Sequence, residues 1–273
     1  DAHRMIEEFM LAANTCAADF LERNRLPTLY RIHESPRKEK LDDLRTVLAE
    51  RGLKLDGGDK PEAHHVSRLM SQAAGRDDFH LIQTLVLRSM NQAVYSPDNQ
   101  GHFGLGFDAY THFTSPIRRY PDLVVHRGIR NLLWRQRKPV RDALGKLLKR
   151  GVGGDYPYAR AEMERIGQHS SMTERRADEA TRDAEDALKC EYIQDKVGES
   201  YEGLVTGVTG FGLFIELKDI YVTGLLHISA LDKDYFHFEA AHHRLTGERT
   251  GRTYALGDTV KVKVVRVDLD ERK

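Results

Sequence analysis

From about Tyr158 to Val197 no proline interrupts a strongly helical composition. That predicts one helix of about 35 residues, roughly 50 Å long, which must cross a whole domain. Its middle, SSMTERRADEATRDAEDALK, puts the small residues Ala177, Ala180, Thr181 and Ala184 on one side, which permits close packing. Glu174, Arg175, Asp178 and Arg182 are spaced for i,i+3 and i,i+4 ion pairs, as on a salt-laced exposed face. At Gly198 the apolar period changes from the helical to the alternating one, so a second domain is expected to begin there. YEGLVTGVTGFGLFIEL, YVTGLLHISAL and TYALGDTVKVKVVRVDLDERK read as β-strands broken by glycine turns. The expected division is 1–196 and 197–273. Phe211, Phe214 and His227 are placed for one exposed face beside the basic Lys261, Lys263 and Arg266. Flat rings for bases and cations for phosphates are what single-stranded nucleic acid needs, although the same aromatics suit a barrel core equally well.

Ahead of the long helix, Ile6, Phe9, Met10, Ala13, Cys16, Ala17, Phe20 and Leu21 recur at helical spacing and predict an amphipathic helix over 3–23, ended by Pro27. LYRIH reads as a short strand, and three further helices are marked by Leu41 to Leu48, Val66 to Ala73 and Phe79 to Met90. The paired acids Asp42, Asp43 and Asp77, Asp78 are expected in first turns, where a carboxylate suits the helix dipole, rather than on a metal. AVYSP and GHFGLGF predict a hairpin turned through Pro97, Asp98, Asn99 and Gly101. Gly104 and Gly106 form a G-x-G that lacks a phosphate-loop lysine or a third spaced glycine, so it speaks weakly for nucleotide binding. The stretch holding Gly151, Gly153 and Gly154 reads as a mobile surface loop. Two cysteines, Cys16 and Cys190, support neither a disulfide framework nor a thiolate metal site. With 40% apolar and 31% charged residues and no bilayer-length apolar run, the chain is expected to be soluble and cytoplasmic. HExxH, phosphate-loop and dinucleotide fingerprints are missing, which disfavours a metalloprotease, kinase or dehydrogenase.

Chemistry concentrates in HFTSPIRRYPDLVVHRGIRNLLW, residues 112–134. Pro116 and Pro121 bracket Arg118, Arg119 and Tyr120, which stiffens the loop that carries them. Pro121 then falls where a first-turn proline is favoured, opening a helix with a buried side at Leu123, Val124, Ile129, Leu132 and Leu133. Between 116 and 138 stand six Arg and one Lys (Arg118, Arg119, Arg127, Arg130, Arg135, Arg137, Lys138) against one acid, Asp122, in a chain of net charge zero. The ligand implied is an anion, most plausibly phosphate. For the outer cations a solvated helix face is the simpler reading.

HFTSPIRRYPDLVVHR closely resembles the late signature of the RNB catalytic domain of the ribonuclease II and ribonuclease R family. GHFGLGFDAYTHFTSPIRRYPD and SSMTERRADEATRD extend the likeness, and from Gly198 the chain resembles the RNA-binding domain named for ribosomal protein S1, an OB fold. The fold class implied is α+β: the helix-rich C-terminal part of an RNB domain (1–196), then an OB-fold β-barrel (197–273) whose last strand is expected to be missing. Members of the family are processive, magnesium-dependent 3′→5′ exoribonucleases that release nucleoside 5′-monophosphates from single-stranded RNA. By the resemblance Arg118 contacts the scissile phosphate, Tyr30 clamps the 3′-terminal base and Glu174 lies near the terminal nucleotide. Arg119, Tyr120 and Arg127, with Phe211, Phe214, His227, Lys261 and Lys263, complete the expected RNA path. The family's metal-binding aspartate cluster has no equivalent in this sequence. The expectation is therefore a fragment that needs the missing N-terminal half of the same protein, with no membrane partner. The alternative is an RNA-binding module without chemistry, and an aspartate cluster upstream of Asp1 would decide between them.

Overall fold

The computed structural model describes residues 2–76, 78–136, 156 and 158–269. The expectations placed on Asp77, Arg137, Lys138, the side chain of Arg135, the loop with Gly151, Gly153 and Gly154, and the terminal DERK lie outside the described residues. The chain forms two compact units. The first is Asp1–Ser35, Glu62–His64 and Asn91–Arg176; the second is Pro36–Pro61, His65–Met90 and Ala177–Lys273. Compactness thus groups the chain differently from the segments 1–196 and 197–273, because the helices after Pro36 share a core with the C-terminal strands.

In the first unit, α1 (Ala2–Arg23) buries Asn14, Ala17, Ala18 and Leu21. Only the second half of its apolar stripe is covered, and Met5, Ile6, Phe9 and Met10 are exposed. The β1 strand (Tyr30–Ile32) pairs antiparallel with β2 (Val94–Ser96), Arg31 standing opposite Tyr95. The hairpin expected from AVYSP and GHFGLGF does not form. GHFGLGF instead makes a 3-10 turn at Phe103–Leu105, with Gly106 in the left-handed region at φ 69°. His33 explains the turn: its Nδ1 accepts from Gly104 N at 2.9 Å and its Nε2 donates to Asn91 O at 2.7 Å. A Cβ on Gly104 would lie 2.8 Å from that Nδ1, so the G-x-G serves a close approach to a histidine and not a nucleotide.

The α5 helix (Tyr120–Gln136) opens with Pro121 in its first turn, where a missing N–H is harmless. Its Val125 and Leu132 pack with Ala17 and Leu21 of α1. The α6 helix (Arg160–Gln194) has the 35 residues its composition predicts. Gly167 lets it lie against β2, since a Cβ there would sit 2.8 Å from Tyr95 O.

In the second unit, α2 (Lys38–Glu50), α3 (Ala63–Ala73) and α4 (Phe79–Ser89) share one apolar cluster with the strands that follow α6. Asp42 and Asp43 fall in the second turn of α2 rather than the first, where Glu39 stands. Asp78 sits at the start of α4 without capping it. Its carboxylate bonds Arg76 at 2.8 and 3.1 Å, and this bond above all holds its pKa below the ordinary value. The strands are β3 (Ser200–Thr209), β4 (Gly212–Leu217), β5 (Thr223–His227), β6 (Phe236–Glu239), β7 (Arg244–Gly247), β8 (Thr253–Ala255) and β9 (Thr259–Lys263). They form antiparallel sheets in the orders β5-β4-β3-β9 and β6-β7-β8. Val205, Leu213, Ile215 and Leu245 fill the interior with Leu41, Leu48 and Ile82 of the helices. Among the described residues no helix is long and apolar enough to cross a membrane.

Candidate nucleic-acid interface

The first unit builds a polar cluster around the arginine loop. Alternation in β1 buries Tyr30 and Ile32 on one side and turns Arg31 to the other. Its guanidinium makes a two-pronged bond to Glu174 of α6, at 2.6 and 3.0 Å, and lies 4.6 Å over the Tyr95 ring. Glu174 therefore does not serve the ion-pair ladder along α6 that its spacing suggests. Tyr95 Oη is 2.8 Å from His112 Nδ1. His112 is held down at about 3, by burial first and then by Arg119, Arg31, His102 and Arg118. Burial and His33 hold His102 at about 4, and burial pushes Tyr95 up to about 12. All three rings are neutral near pH 7, so charge in the cluster is left to arginines and carboxylates.

The segment that leads into the loop is tied at several points. Asn14, buried in α1, donates to Tyr110 Oη at 2.8 Å and accepts from Phe113 N at 2.9 Å. Thr111 Oγ1 donates to Leu29 O at 2.5 Å. His126 stacks on Phe113 with centroids 4.3 Å apart. In the loop itself, fully buried Asp122 accepts from Ser115 N at 2.7 Å and from Arg119 Nη2 at 2.8 Å. Arg119 is thus engaged internally through Nη2. Arg31 cancels against Glu174 and Arg119 against Asp122. Arg118 is exposed and, among the described residues, has no side-chain hydrogen bond or ion pair, so its charge is uncompensated.

Beside it, half-exposed Tyr120 receives a bond from Arg127 Nη1 at 3.3 Å, and the same nitrogen donates to Tyr158 Oη. Tyr156 stands edge-on to Tyr158 at 5.2 Å and donates to Pro27 O. Tyr30 does not join this surface. It is 7% exposed among Ala18, Ile32 and Ala109, with burial pushing its hydroxyl up to about 12, so the expected base clamp has no free face. Arg31, one residue along β1, is the side chain that reaches the cluster.

The second unit offers a different surface. In β4, Leu213, Ile215 and Leu217 point inward, which leaves Phe214 and Glu216 on the outer face. Phe214 lies against Gly207 of β3 and opposite Leu225 of β5. Phe211, 50% exposed in the turn before β4, meets Phe214 edge-on at 6.1 Å. Neither ring belongs to the apolar cluster, which decides between the face and core readings. His227 is exposed opposite Gly212, with Nδ1 accepting from Ser229 N at 3.3 Å. Lys261 and Lys263 are exposed on β9 opposite Glu202 and Ser200, several residues along β3 from the Phe214 pairing. Arg266 lies beyond β9 and bonds Asp268, so it does not extend the basic strand. Among the described residues no group of three or more His, Cys, Asp or Glu side chains is placed to hold a metal ion.

Comparison with known proteins places both surfaces. Residues 1–135 match the RNB domain and residues 194–273 the S1 RNA binding domain. The chain thus joins an RNB domain match to an S1 RNA binding domain match. It is 50% identical over all 273 residues to Ribonuclease R of Escherichia coli K12, and it spans 33% of that protein's length. Among solved structures, the apo form of Mycoplasma genitalium RNase R matches the whole chain with a TM-score of 0.85 at 28% identity, over 41% of that protein. The same enzyme in complex with ribose methylated single-stranded RNA matches with a TM-score of 0.83 at 28% identity, over the same shares. The arginine loop therefore lies in the RNB segment and the aromatic face in the S1 segment, and the α+β class with an S1-type OB fold agrees with both matches.

Proposed function

We propose that the full-length polypeptide is a processive 3′→5′ exoribonuclease that hydrolyses single-stranded RNA to nucleoside 5′-monophosphates. In this reading 1–196 is the C-terminal part of its catalytic domain and 197–273 an RNA-binding domain. The observation that carries the reading is the charge balance around the loop: Arg31 and Arg119 are matched by carboxylates, whereas Arg118 is exposed with no side-chain partner among the described residues and exposed Arg127 bonds only tyrosine hydroxyls. A guanidinium with no internal partner presents a planar fork to a phosphate and needs no reorganisation as charge develops there. Tyr120 and Arg127 extend this surface, and Glu174, held by Arg31, faces the terminal nucleotide. Phe211, Phe214 and His227 supply rings for bases, with Lys261 and Lys263 for the backbone. Ribonuclease R relatives along the whole chain, and a solved relative holding single-stranded RNA, support this assignment.

Magnesium supplies the Lewis acid and the activated water in such hydrolysis. The described residues do not fit it, since they offer no ligand cluster. Its ligands belong to the part of the polypeptide outside these residues, and cytoplasmic RNA is the intended substrate. A second reading, an RNA-binding module, describes this chain by itself, because charge and stacking survive without a metal. The test incubates this chain and the full-length protein separately with 5′-labelled RNA and magnesium. The full-length protein is expected to shorten the RNA stepwise from the 3′ end, stopped by chelator. This chain is expected to bind in a salt-sensitive way without shortening. RNA left at full length by the full-length protein would leave only the binding module.

A further inference from the structure

The loop that carries Arg118 is closed by one buried carboxylate. Asp122 is the third residue of α5 and is fully buried. Its Oδ2 accepts from Ser115 N at 2.7 Å and from Arg119 Nη2 at 2.8 Å, so a single oxygen gathers both ends of 115–119 onto the first turn of the helix. The loop is drawn tighter by Arg118 N and Arg119 N, which donate to Ser115 O at 3.3 and 3.1 Å. Of the residues so clamped, Arg118 is the cation left pointing out.

The clamp is poor as a stabilising device. Asp122 Oδ1, Arg119 Nε and the neighbouring Thr114 Oγ1 are buried and have no hydrogen-bond partner. A buried ion pair repays its lost hydration only when its remaining polar atoms are satisfied, and an apolar pair of similar volume is often as stable. An incompletely satisfied pair kept in a turn is better explained by the geometry it imposes. We propose that Asp122 is the positioning residue for Arg118: through Ser115 and Arg119 it fixes the direction of the phosphate-binding guanidinium. This rests on the reading of Arg118 given above.

The test is a double-variant cycle in the full-length enzyme with 5′-labelled oligoadenylate, reading kcat and KM separately. Asp122→Asn keeps the side-chain shape and weakens the hold on Arg119. It should lower kcat by about a hundredfold with KM nearly unchanged, the size expected when a reacting group is misplaced by about an ångström. In an Arg118→Ala background the same change should lower kcat by less than about twofold, because the group it aims is gone. Equal losses in both backgrounds, or wild-type kcat for Asp122→Asn alone, would overturn the positioning role while leaving Arg118 in place. Wild-type kcat for Arg118→Ala would sink the reading of Arg118 itself, and the positioning role with it. If Asp122→Asn fails to give a folded protein by thermal melting, Arg119→Gln, which keeps an amide donor for Asp122, takes its place in the cycle with the same outcomes.

Discussion

The arginine loop of the first unit and the aromatic face of the second suit one kind of polymer through opposite physics. The loop is tied from within: Asn14, Thr111, Arg119 and Asp122 hold its backbone, and His102 and His112 are neutral near pH 7. Little can move, as preorganised binding at a single phosphate requires. On the face, Phe211 in the turn before β4 and His227 at the end of β5 stand exposed, while Leu213, Ile215 and Leu217 of β4 do the packing. Rings held only from behind can accept any base, which suits a strand that must slide. In the proposed reading the difference separates a part that fixes one phosphate from a part that tolerates many bases.

That separation predicts crossed effects. Asn14→Ala orphans Tyr110 Oη and Phe113 N in a buried place, at about 1–3 kcal/mol for each group left unpaired. Stability should fall by several kcal/mol in calorimetry, while RNA affinity at the melting-safe temperature stays near wild type. Phe211→Ala should do the reverse, weakening RNA binding by about 1–3 kcal/mol with the thermal transition in place. A Phe211→Ala protein that melts early and binds normally would erase the contrast and return that ring to the core.

Acid should part the two regions without any mutation. His102 and His112 take protons in the folded state only near 4 and 3, against 6.5 in an unfolded chain. Between those values the unfolded state binds more protons, so the stability they contribute is complete above 6.5 and drains as pH falls toward 3. In the second unit, hydrogen bonds from Arg244 and Thr246 hold Glu239 at about 2 against 4.5, so its contribution is intact down to 4.5 and drains only below that. Amide exchange followed from pH 7 to 4 should show protection lost first around Arg31 N, bonded to Tyr110 O, and later around Val205 N, bonded to Asp258 O. Loss at one common pH would show that the buried histidines carry no such linkage.

Periodicity revealed much of the frame: α6, the strands after Gly198 and the proline-opened α5 all follow from spacing that local sterics enforce, whereas the shared core of those strands with α2, α3 and α4 does not. The arginine loop was legible too, because clustered cations between two prolines are a local signal. What escaped were pairings across the chain. Nothing near LYRIH says that β1 pairs with residues 94–96, or that its outward side chain meets Glu174, 143 positions away. The same blindness made a strand of GHFGLGF, whose Gly104 answers to His33. Asp122 was visible as the lone acid among cations, yet only burial shows that it holds the loop from inside.

The smallest expected effect concerns how far the basic strand belongs to the RNA face. Lys261 stands opposite Glu202, whose carboxylate takes Lys218 Nζ at 3.3 Å, whereas Lys263 stands opposite Ser200 and faces no acid in that register. A cation already beside a carboxylate releases fewer counterions when RNA arrives. For single strands each phosphate contact adds about 0.7 to the slope of log affinity against log salt. Lys263→Ala should therefore reduce the slope by close to that amount and Lys261→Ala by clearly less, measured with this chain and a fluorescent oligoadenylate over several salt concentrations. Equal reductions would mean that Glu202 turns away when RNA binds and that both lysines act alike. No change for either would detach β9 from the face and confine recognition to the rings.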